Sequence, residues 1–349
     1  MASIVDVAAK AGVSVATVSR VLSNKPHVRP ALRERVLAAV AQLDYQPSRV
    51  ARSLRLQRSQ VFGLIIGDIQ NPFFTALARA VEDIAHSHEH AVFLCNTDED
   101  ADKEQLYVDL MEAEQVAGVI IAPTQEVNSP CRWLVESGIP VVAIDRRLHD
   151  LEVDTVLVDN VHSAREVVRH LIEQGHQRIA VIAGPPTTTT GRERLEGYVV
   201  AMQEAGRAID PAYIRQGLHT EEVGMRLTFA LLDGPNPPDA IFAANNLLAA
   251  GALVALQLRH INVPDDLAIA AFGEVPWMRL VDPPMTVVRL PIYDMGAAAA
   301  NLLIQRINLR GMSKIERPAP QEVVLRGQLL IRKSSLRSAS THGAPQPIA

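Results

Sequence analysis

Apolar residues recur at helical spacing over residues 3–44 and then, from Val61 onward, bunch into short unbroken runs. Three short helices are predicted in the first stretch. Ile4, Val7, Ala8 and Ala11 make one stripe, Gly12 interrupts it, and Ser14 caps a second helix reaching Leu22. In that second helix Val18, Val21 and Leu22 are read as inward, and Val15, Ala16, Ser19 and Arg20 as outward. Pro30 suits the first turn of a third helix, whose buried stripe is Leu32, Val36, Val40 and Leu43.

The later runs are Val61–Ile66, Ala91–Leu94, Gly118–Ala122, Val141–Ile144, Val156–Val158, Ile179–Ala183, Ala240–Ala243 and Leu267–Phe272. Amphipathic stretches of helical length separate most of them, at 73–87, 102–115, 161–174, 192–205, 221–232 and 246–258. Unbroken apolar strands alternating with helices imply parallel sheets covered on both faces. So many strands fit two doubly wound sheets better than one. A helix at 293–309 is expected to rejoin the first sheet region, and 321–332 reads as one last strand.

The expected organisation is an all-α headpiece over 1–45, a linker over 46–60 and an α/β core over 61–332. Lobe 1 of the core is expected to take about 61–160 and 291–320, and lobe 2 about 161–290 and 321–332. The polar, Pro/Gly-containing segment 333–349 reads as a disordered tail.

Charge divides the chain in the same place. The total is −5, yet residues 1–60 hold ten Lys/Arg against three Asp/Glu, a net of +7. The remaining residues hold 24 basic and 36 acidic side chains, a net of −12. A basic module carried by an acidic one points to nucleic acid or an anionic surface. The linker YQPSRVARSLRLQRSQ has four arginines and no acid, with Pro47 ending the third helix and Ser48 able to cap a short new one. Cys95 and Cys131 sit in no metal-binding spacing, so neither a zinc site nor a cofactor is expected. The N-terminus lacks the basic and apolar regions of a signal peptide, and no apolar run approaches membrane-spanning length. A cytoplasmic protein with no membrane partner is the expectation.

The spacing of Val5 to Leu22 is that of a helix-turn-helix, which presents its second helix to the major groove. Val15 and Ala16 suit thymine methyl groups, and Arg20 suits a guanine edge. Ser14, Thr17 and His27 suit phosphates, and outward-facing Ser19 is a further candidate for the DNA surface. Residues 4–54, IVDVAAKAGVSVATVSRVLSNKPHVRPALRERVLAAVAQLDYQPSRVARSL, resemble the headpiece and hinge of the lactose-repressor (LacI) family. GLIIGDIQNPFF, PVVAIDR, VDN, RERLEGY, IFAANNLLAAGAL and DPPMTVVRLP extend the resemblance to about residue 332.

The resemblance implies a two-lobed core like that of periplasmic sugar-binding proteins, with a ligand between the lobes. It gives Val15 and Ala16 the dominant part in base choice and Arg20 a further base contact. It matches Leu54 to the hinge leucine that wedges into the minor groove. It implies a homodimer on palindromic operator DNA, controlled by a sugar or sugar acid. Carried over residue by residue, the effector contacts are Phe73, Phe74, Asp145, Arg194 and Asn245, with Asp68 and His219 as further candidates.

Two departures stand out. Arg29 replaces the usual Ser or Thr cap of the third helix. Ala271-Phe272-Gly273-Glu274 puts glycine where a ligand-binding aspartate is usual, so either Glu274 substitutes for it or the cleft grips its ligand differently.

Two other functions compete. An enzyme would need a nucleophile elbow, a phosphate loop or a metal cluster, and none is present in the sequence; Gly184-Pro185-Pro186 is no phosphate loop. A periplasmic binding protein would need a signal peptide and would have no use for the basic module.

Overall fold

A computed structural model describes residues 2–22, 28–45, 59–310 and 318–337. They form two compact units that divide between Ser59 and Gln60. The linker expected over 46–60 therefore lies mostly outside the described residues, as do His27 and Leu54.

The headpiece has α1 (Ile4–Ala11), α2 (Val15–Leu22) and α3 (Pro30–Gln42). Ser3 and Asp6 cap α1 reciprocally: the Ser3 hydroxyl accepts the Asp6 N–H, and the Asp6 carboxylate accepts the Ser3 N–H at 2.8 Å. Gly12 ends α1 at φ +62°, a conformation that costs other residues strain. Arg35 of α3 donates to the Gly12 carbonyl at 3.3 Å and ties the turn to the third helix. Val7, Ala8, Ala11, Val18, Val21, Val36 and Ala39 form the small core. The small Ala8 and Ala11 leave room for the helices to meet. Arg29 precedes α3 without a side-chain cap, as its replacement of the usual hydroxyl residue implies.

The second unit carries two six-stranded sheets. Lobe 1 orders its strands β11-β5-β4-β3-β1-β2, all parallel. The strands are β1 (Val61–Ile66), β2 (Ala91–Asn96), β3 (Gly118–Ile121), β4 (Val141–Ile144), β5 (Asp154–Val158) and β11 (Glu322–Leu325). Its helices are α4 (Pro72–Ser87), α5 (Ala101–Ala113), α6 (Cys131–Glu136) and α11 (Ile292–Asn308).

Lobe 2 orders its strands β12-β10-β9-β8-β6-β7. They are β6 (Ile179–Ala183), β7 (Ile214–Gln216), β8 (Ala240–Ala243), β9 (Ala268–Phe272), β10 (Thr286–Arg289) and β12 (Gln328–Leu330). Only β12 runs antiparallel to its neighbour. The helices are α7 (Asn160–Glu173), α8 (Thr189–Glu204), α9 (Glu221–Leu232) and α10 (Asn246–Leu258).

The central strands are buried along their whole length because helices cover both faces. In β1, Phe62, Leu64 and Ile66 join the α4 side of the core while Ile65 joins the α5 side. Edge strands depart from this: β2 leaves Phe93 and Leu94 exposed, and β11 leaves Val324 exposed.

Two expectations about the chain end are corrected. Residues 321–332 are not one strand of lobe 2. They split at Gly327 into β11, which extends the lobe 1 sheet, and β12, which closes the lobe 2 sheet. A Cβ on Gly327 would lie 2.6 Å from Val288 Cγ1, so any side chain there would have to displace Val288. The tail does not begin at 333 either. Ser334 and Ser335 are buried, and the Ser334 hydroxyl donates to the Ile269 carbonyl at 2.7 Å and accepts the Thr286 N–H at 2.8 Å. Polar residues packed by satisfying strand ends read from sequence like a solvated tail.

Helices α9 and α10 cross through two glycines. A Cβ on Gly251 would lie 2.0 Å from the Glu221 carbonyl oxygen and 2.4 Å from the Met225 nitrogen. Both are backbone atoms and cannot rotate away. Gly251→Ala is therefore expected to destabilise the core by about 1–3 kcal/mol through overpacking. Urea unfolding followed by tryptophan fluorescence checks this, and an unchanged midpoint would show that the helices do not cross this closely.

Candidate functional site

A cleft of about 610 Å³ opens between the lobes of the second unit, at the carboxyl ends of strands from both sheets. Its walls include Phe73, Phe74, Asp145, Arg194, Asn245 and Glu274, so all six effector candidates are brought together, with Asp68 and His219 beside them.

Phe73 and Phe74 open α4. Pro72 presets its first turn, and the Asn71 carboxamide oxygen caps it by accepting the Phe73 N–H at 3.0 Å. The two rings stand 5.0 Å apart at 74°, an edge-to-face pair. Phe74 is buried, and Phe73 is half-buried on the wall.

Asp145 follows β4 with its backbone in the left-handed region, at φ +67°. A non-glycine residue held there is strained, and such strain gathers at functional sites. Burial pushes its carboxyl upward, while Arg194 and Arg146 pull it back.

Arg194 is buried on α8. Its Nε donates to Asn160 Oδ1 and its Nη1 to the Ala244 carbonyl, both at 3.0 Å, and the guanidinium lies 4.0 Å over the Phe272 ring. Burial draws its pKa down to about 10, with Asp145 opposing, so it remains a cation at neutral pH.

Asn245 caps α10, its side-chain oxygen accepting the Leu247 N–H at 2.8 Å. The cap leaves the amide nitrogen unused. Across the cleft Asn246 Nδ2 donates to Asn71 Oδ1 at 2.9 Å, joining lobe 2 to lobe 1.

Glu274 lines the cleft, but its carboxylate is engaged elsewhere. Arg289 donates to Oε2 at 2.6 Å and Arg332 to Oε1. Burial raises its pKa, and the two arginines outweigh that and hold it below the usual carboxylate range. With both oxygens held, Glu274 is poorly placed to stand in for the missing aspartate. At Gly273 (φ +89°) a Cβ would meet only Asn246 Cβ, at 3.8 Å, so the place of the usual side chain is open.

Arg146 is also committed, bidentate to Glu99 at 2.6 and 2.7 Å and to the Pro123 carbonyl at 3.0 Å. Burial opposes its charge, but Glu99 outweighs burial and raises its pKa.

The His219 ring lies against Gly184, where a Cβ would fall 2.1 Å from Nε2. That nitrogen is buried and has no hydrogen-bond partner among the described residues. Burial chiefly, with Arg146 and Arg194 adding, pushes the imidazole down to about 3, so it is neutral throughout the physiological range.

The sequence reading missed Glu99 and Phe272 as cleft residues and Asn160 as the buried partner of Arg194. Asn160 and Phe272 lay inside quoted motifs. Glu99 lies 47 positions from Arg146, with no local pattern to pair them.

In the headpiece, considered by itself, Val15, Ala16 and Arg20 are exposed on α2. Ser14 is exposed and Thr17 half-buried; the Ser14 hydroxyl caps α2 by accepting the Thr17 N–H at 3.2 Å, and the two side chains bond each other at 3.0 Å. Ser19, expected outward, is buried. It precedes Leu22 by three residues, which puts it at the edge of the apolar stripe on α2. Its assignment to the DNA surface is withdrawn.

A helix-turn-helix headpiece and a two-lobed core with a polar, aromatic-walled cleft together define a class: regulators that couple a small ligand to DNA. Residues 3–48 match the model for bacterial regulatory proteins of the lacI family. Residues 59–325 match the model for periplasmic binding proteins and the sugar-binding domain of the LacI family. The ribose operon repressor of Halalkalibacterium halodurans is 40% identical over 328 residues, covering 93% of this chain and 96% of that protein. Among solved structures, the transcriptional regulator CelR in complex with cellobiose is 31% identical, with a TM-score of 0.72, over 96% of this chain and all of that one. The lac repressor dimer bound to operator and the anti-inducer ONPF shares the fold at a TM-score of 0.81 and 24% identity, over 96% of this chain and 99% of that one. The chain belongs to the LacI family of transcription regulators, with a DNA-binding headpiece and a sugar-binding core.

The buried histidines give a stability prediction. His219, His170 and His176 all have depressed pKa values, burial being the first cause in each. In the unfolded chain a histidine titrates near 6.5. The folded state refuses protons that the unfolded state accepts, so their contribution is complete above about pH 6.5 and is lost as pH falls below it. The melting temperature is expected to drop between pH 7.5 and 5.0, and His219→Gln to reduce that drop. Equal pH slopes for the two proteins would remove His219 from the account.

Proposed function

We propose that this protein is a cytoplasmic homodimeric repressor, not an enzyme, that reads a palindromic operator through α2 and the hinge. A neutral, hydroxyl-rich sugar bound between the lobes controls its grip on DNA. The observation that carries this reading is the cleft, where a buried carboxylate (Asp145) and a buried guanidinium (Arg194) act on each other beside two aromatic rings.

Charge selects the ligand class. Six acids line the cleft, Asp68, Asp98, Glu99, Asp145, Glu221 and Glu274, against two arginines. Arg146 is spent on Glu99, and Arg194 faces the charge of Asp145. His219 supplies no positive charge at neutral pH. The positive helix N-termini are already answered, α5 by Asp100 and α4 and α10 by asparagine oxygens. Of the two lining arginines, Arg194 alone is outside an ion pair, and there a sugar acid or sugar phosphate would meet the opposing charge of Asp145. A neutral sugar can donate hydroxyls to Asp145, accept from Arg194 and Asn245, and lay its apolar face on Phe73 and Phe74.

For DNA, exposed Val15, Ala16 and Arg20 are the base-reading group, with Ser14, Thr17 and His27 on phosphates and Leu54 as the minor-groove wedge. Two headpieces in a dimer would read the two half-sites of a palindrome.

The test selects an operator from random duplexes and measures its affinity with D-ribose, ribonate and ribose 5-phosphate. D-ribose is the first sugar because a relative is named for ribose. The expectation is that D-ribose changes operator affinity several-fold and the two anions do not; its direction distinguishes inducer from corepressor. Failure to select any duplex at physiological salt would overturn the repressor reading. Asp145→Asn is expected to weaken sugar binding about ten-fold or more, the worth of a charge-assisted hydrogen bond. Leu54→Ala is expected to lower operator affinity and leave sugar binding, measured by calorimetry, unchanged.

A further inference from the structure

Beside the cleft, and outside its walls, a second polar cluster joins the lobes. Glu126 lies in the lobe 1 loop after β3 and is buried. Its Oε1 accepts the Thr189 hydroxyl at 2.5 Å and the Thr189 backbone N–H. Its Oε2 accepts Arg192 Nη2 at 2.8 Å. Both partners belong to α8 of lobe 2. His149 Nε2, from lobe 1, stands 3.1 Å from Oε2 and 3.3 Å from Arg192 Nη2. Arg147, also of lobe 1, donates its N–H to Thr189 Oγ1 at 3.0 Å and its guanidinium to Glu193.

We propose that Glu126 is a positioning residue, the centre of a latch that holds the lobes in the arrangement in which the cleft residues converge. The proposal rests on the cleft being the effector site.

A buried carboxylate is costly unless every lone pair is used. Glu126 meets that demand mainly with lobe 2 donors. Thr188 caps α8 from within its own lobe by accepting the Gly191 N–H. Glu126 takes the Thr189 N–H, one of the first-turn donors that a helix cannot satisfy internally, and places a negative charge where the helix dipole favours one. Separating the lobes would break all three bonds from α8 together.

The latch and the cleft share two segments. Thr189 lies five residues before Arg194 on the same helix, and Arg147, bonded to the Thr189 hydroxyl, lies two residues after Asp145. Fixing Thr189 against the 145–147 segment therefore fixes Arg194 against Asp145. Every donor and acceptor in the latch is a protein group, so lobe closure is stabilised before any effector contact is made. The latch thus sets how much of the effector's binding free energy goes into closure.

The test uses the full-length protein with spin labels at Glu136→Cys in lobe 1 and Gln203→Cys in lobe 2. Both positions are exposed, whereas native Cys95 and Cys131 are buried. Without ligand, electron–electron distance measurements are expected to give one distance in the parent and an added longer one in Glu126→Ala and in Arg192→Met. D-ribose, as probe, is expected to bind these variants about ten-fold more weakly, within the range of ordinary site-to-site coupling. Unchanged distances in both variants would overturn the latch. Arg192→Met alters a side chain that is 42% exposed and decides the matter if Glu126→Ala does not fold. If D-ribose fails to bind the parent, the effector reading fails, and the ligand-free distances still decide the latch.

Discussion

Arg194 is the constraint on which the cleft of this LacI-family protein is built. A guanidinium cannot shed its charge, so burying it forces the surroundings to supply acceptors and an aromatic face. Asn160 at the start of α7, the carbonyl of Ala244 after β8 and the ring of Phe272 at the end of β9 do so. Those three groups come from three separate crossovers of lobe 2. Meeting the needs of one arginine therefore sets the relative height of the strand ends that form the cleft wall. The cation also works against the pull of burial on the carboxyl of Asp145 in the other lobe.

The same accounting applies to the two arginines that follow Asp145 in sequence. Arg146 and Arg147 are adjacent to a ligand candidate, and adjacency suggests positive charge in the cleft. Each is instead neutralised from a distance, Arg146 by Glu99 and Arg147 by Glu193 and Glu322. What remains is a lining in which acids outnumber arginines, and the proposal of a neutral sugar rests on that imbalance.

Local periodicity made most of the fold legible. The stretches read as helices at 73–87, 161–174, 221–232, 246–258 and 293–309 lie within one residue of α4, α7, α9, α10 and α11, because these helices bury a stripe and, α11 apart, are capped by a side chain. The short β7, the helix α6 and strand β10 carried too few periodic positions to be read. The cleft candidates came from resemblance, and the structure gathers them in one place. Their present partners could not be read, since Glu99–Arg146 and Glu274–Arg332 span 47 and 58 positions and leave no mark on local pattern. Ser19 went wrong for the converse reason: a hydroxyl at the edge of a stripe looks solvated until a neighbouring helix is placed over it.

Gly273 and the latch bear on one question, which is what the effector must do. In a two-lobed protein a ligand shifts the lobes only by the difference in its affinity for the two arrangements. Here the wall lacks a carboxylate at Gly273 and Glu274 is held by its own arginines, so one usual ligand anchor is absent. An effector with fewer anchors can contribute less to closure. The bonds among Glu126, Thr189 and Arg192, with Asn71–Asn246 across the mouth, supply cross-lobe contacts that owe nothing to the ligand. With these contacts already in place across the cleft, a bound effector would have little closure left to drive, so what it can pass to the DNA-binding unit depends on how far it favours this arrangement over a more open one.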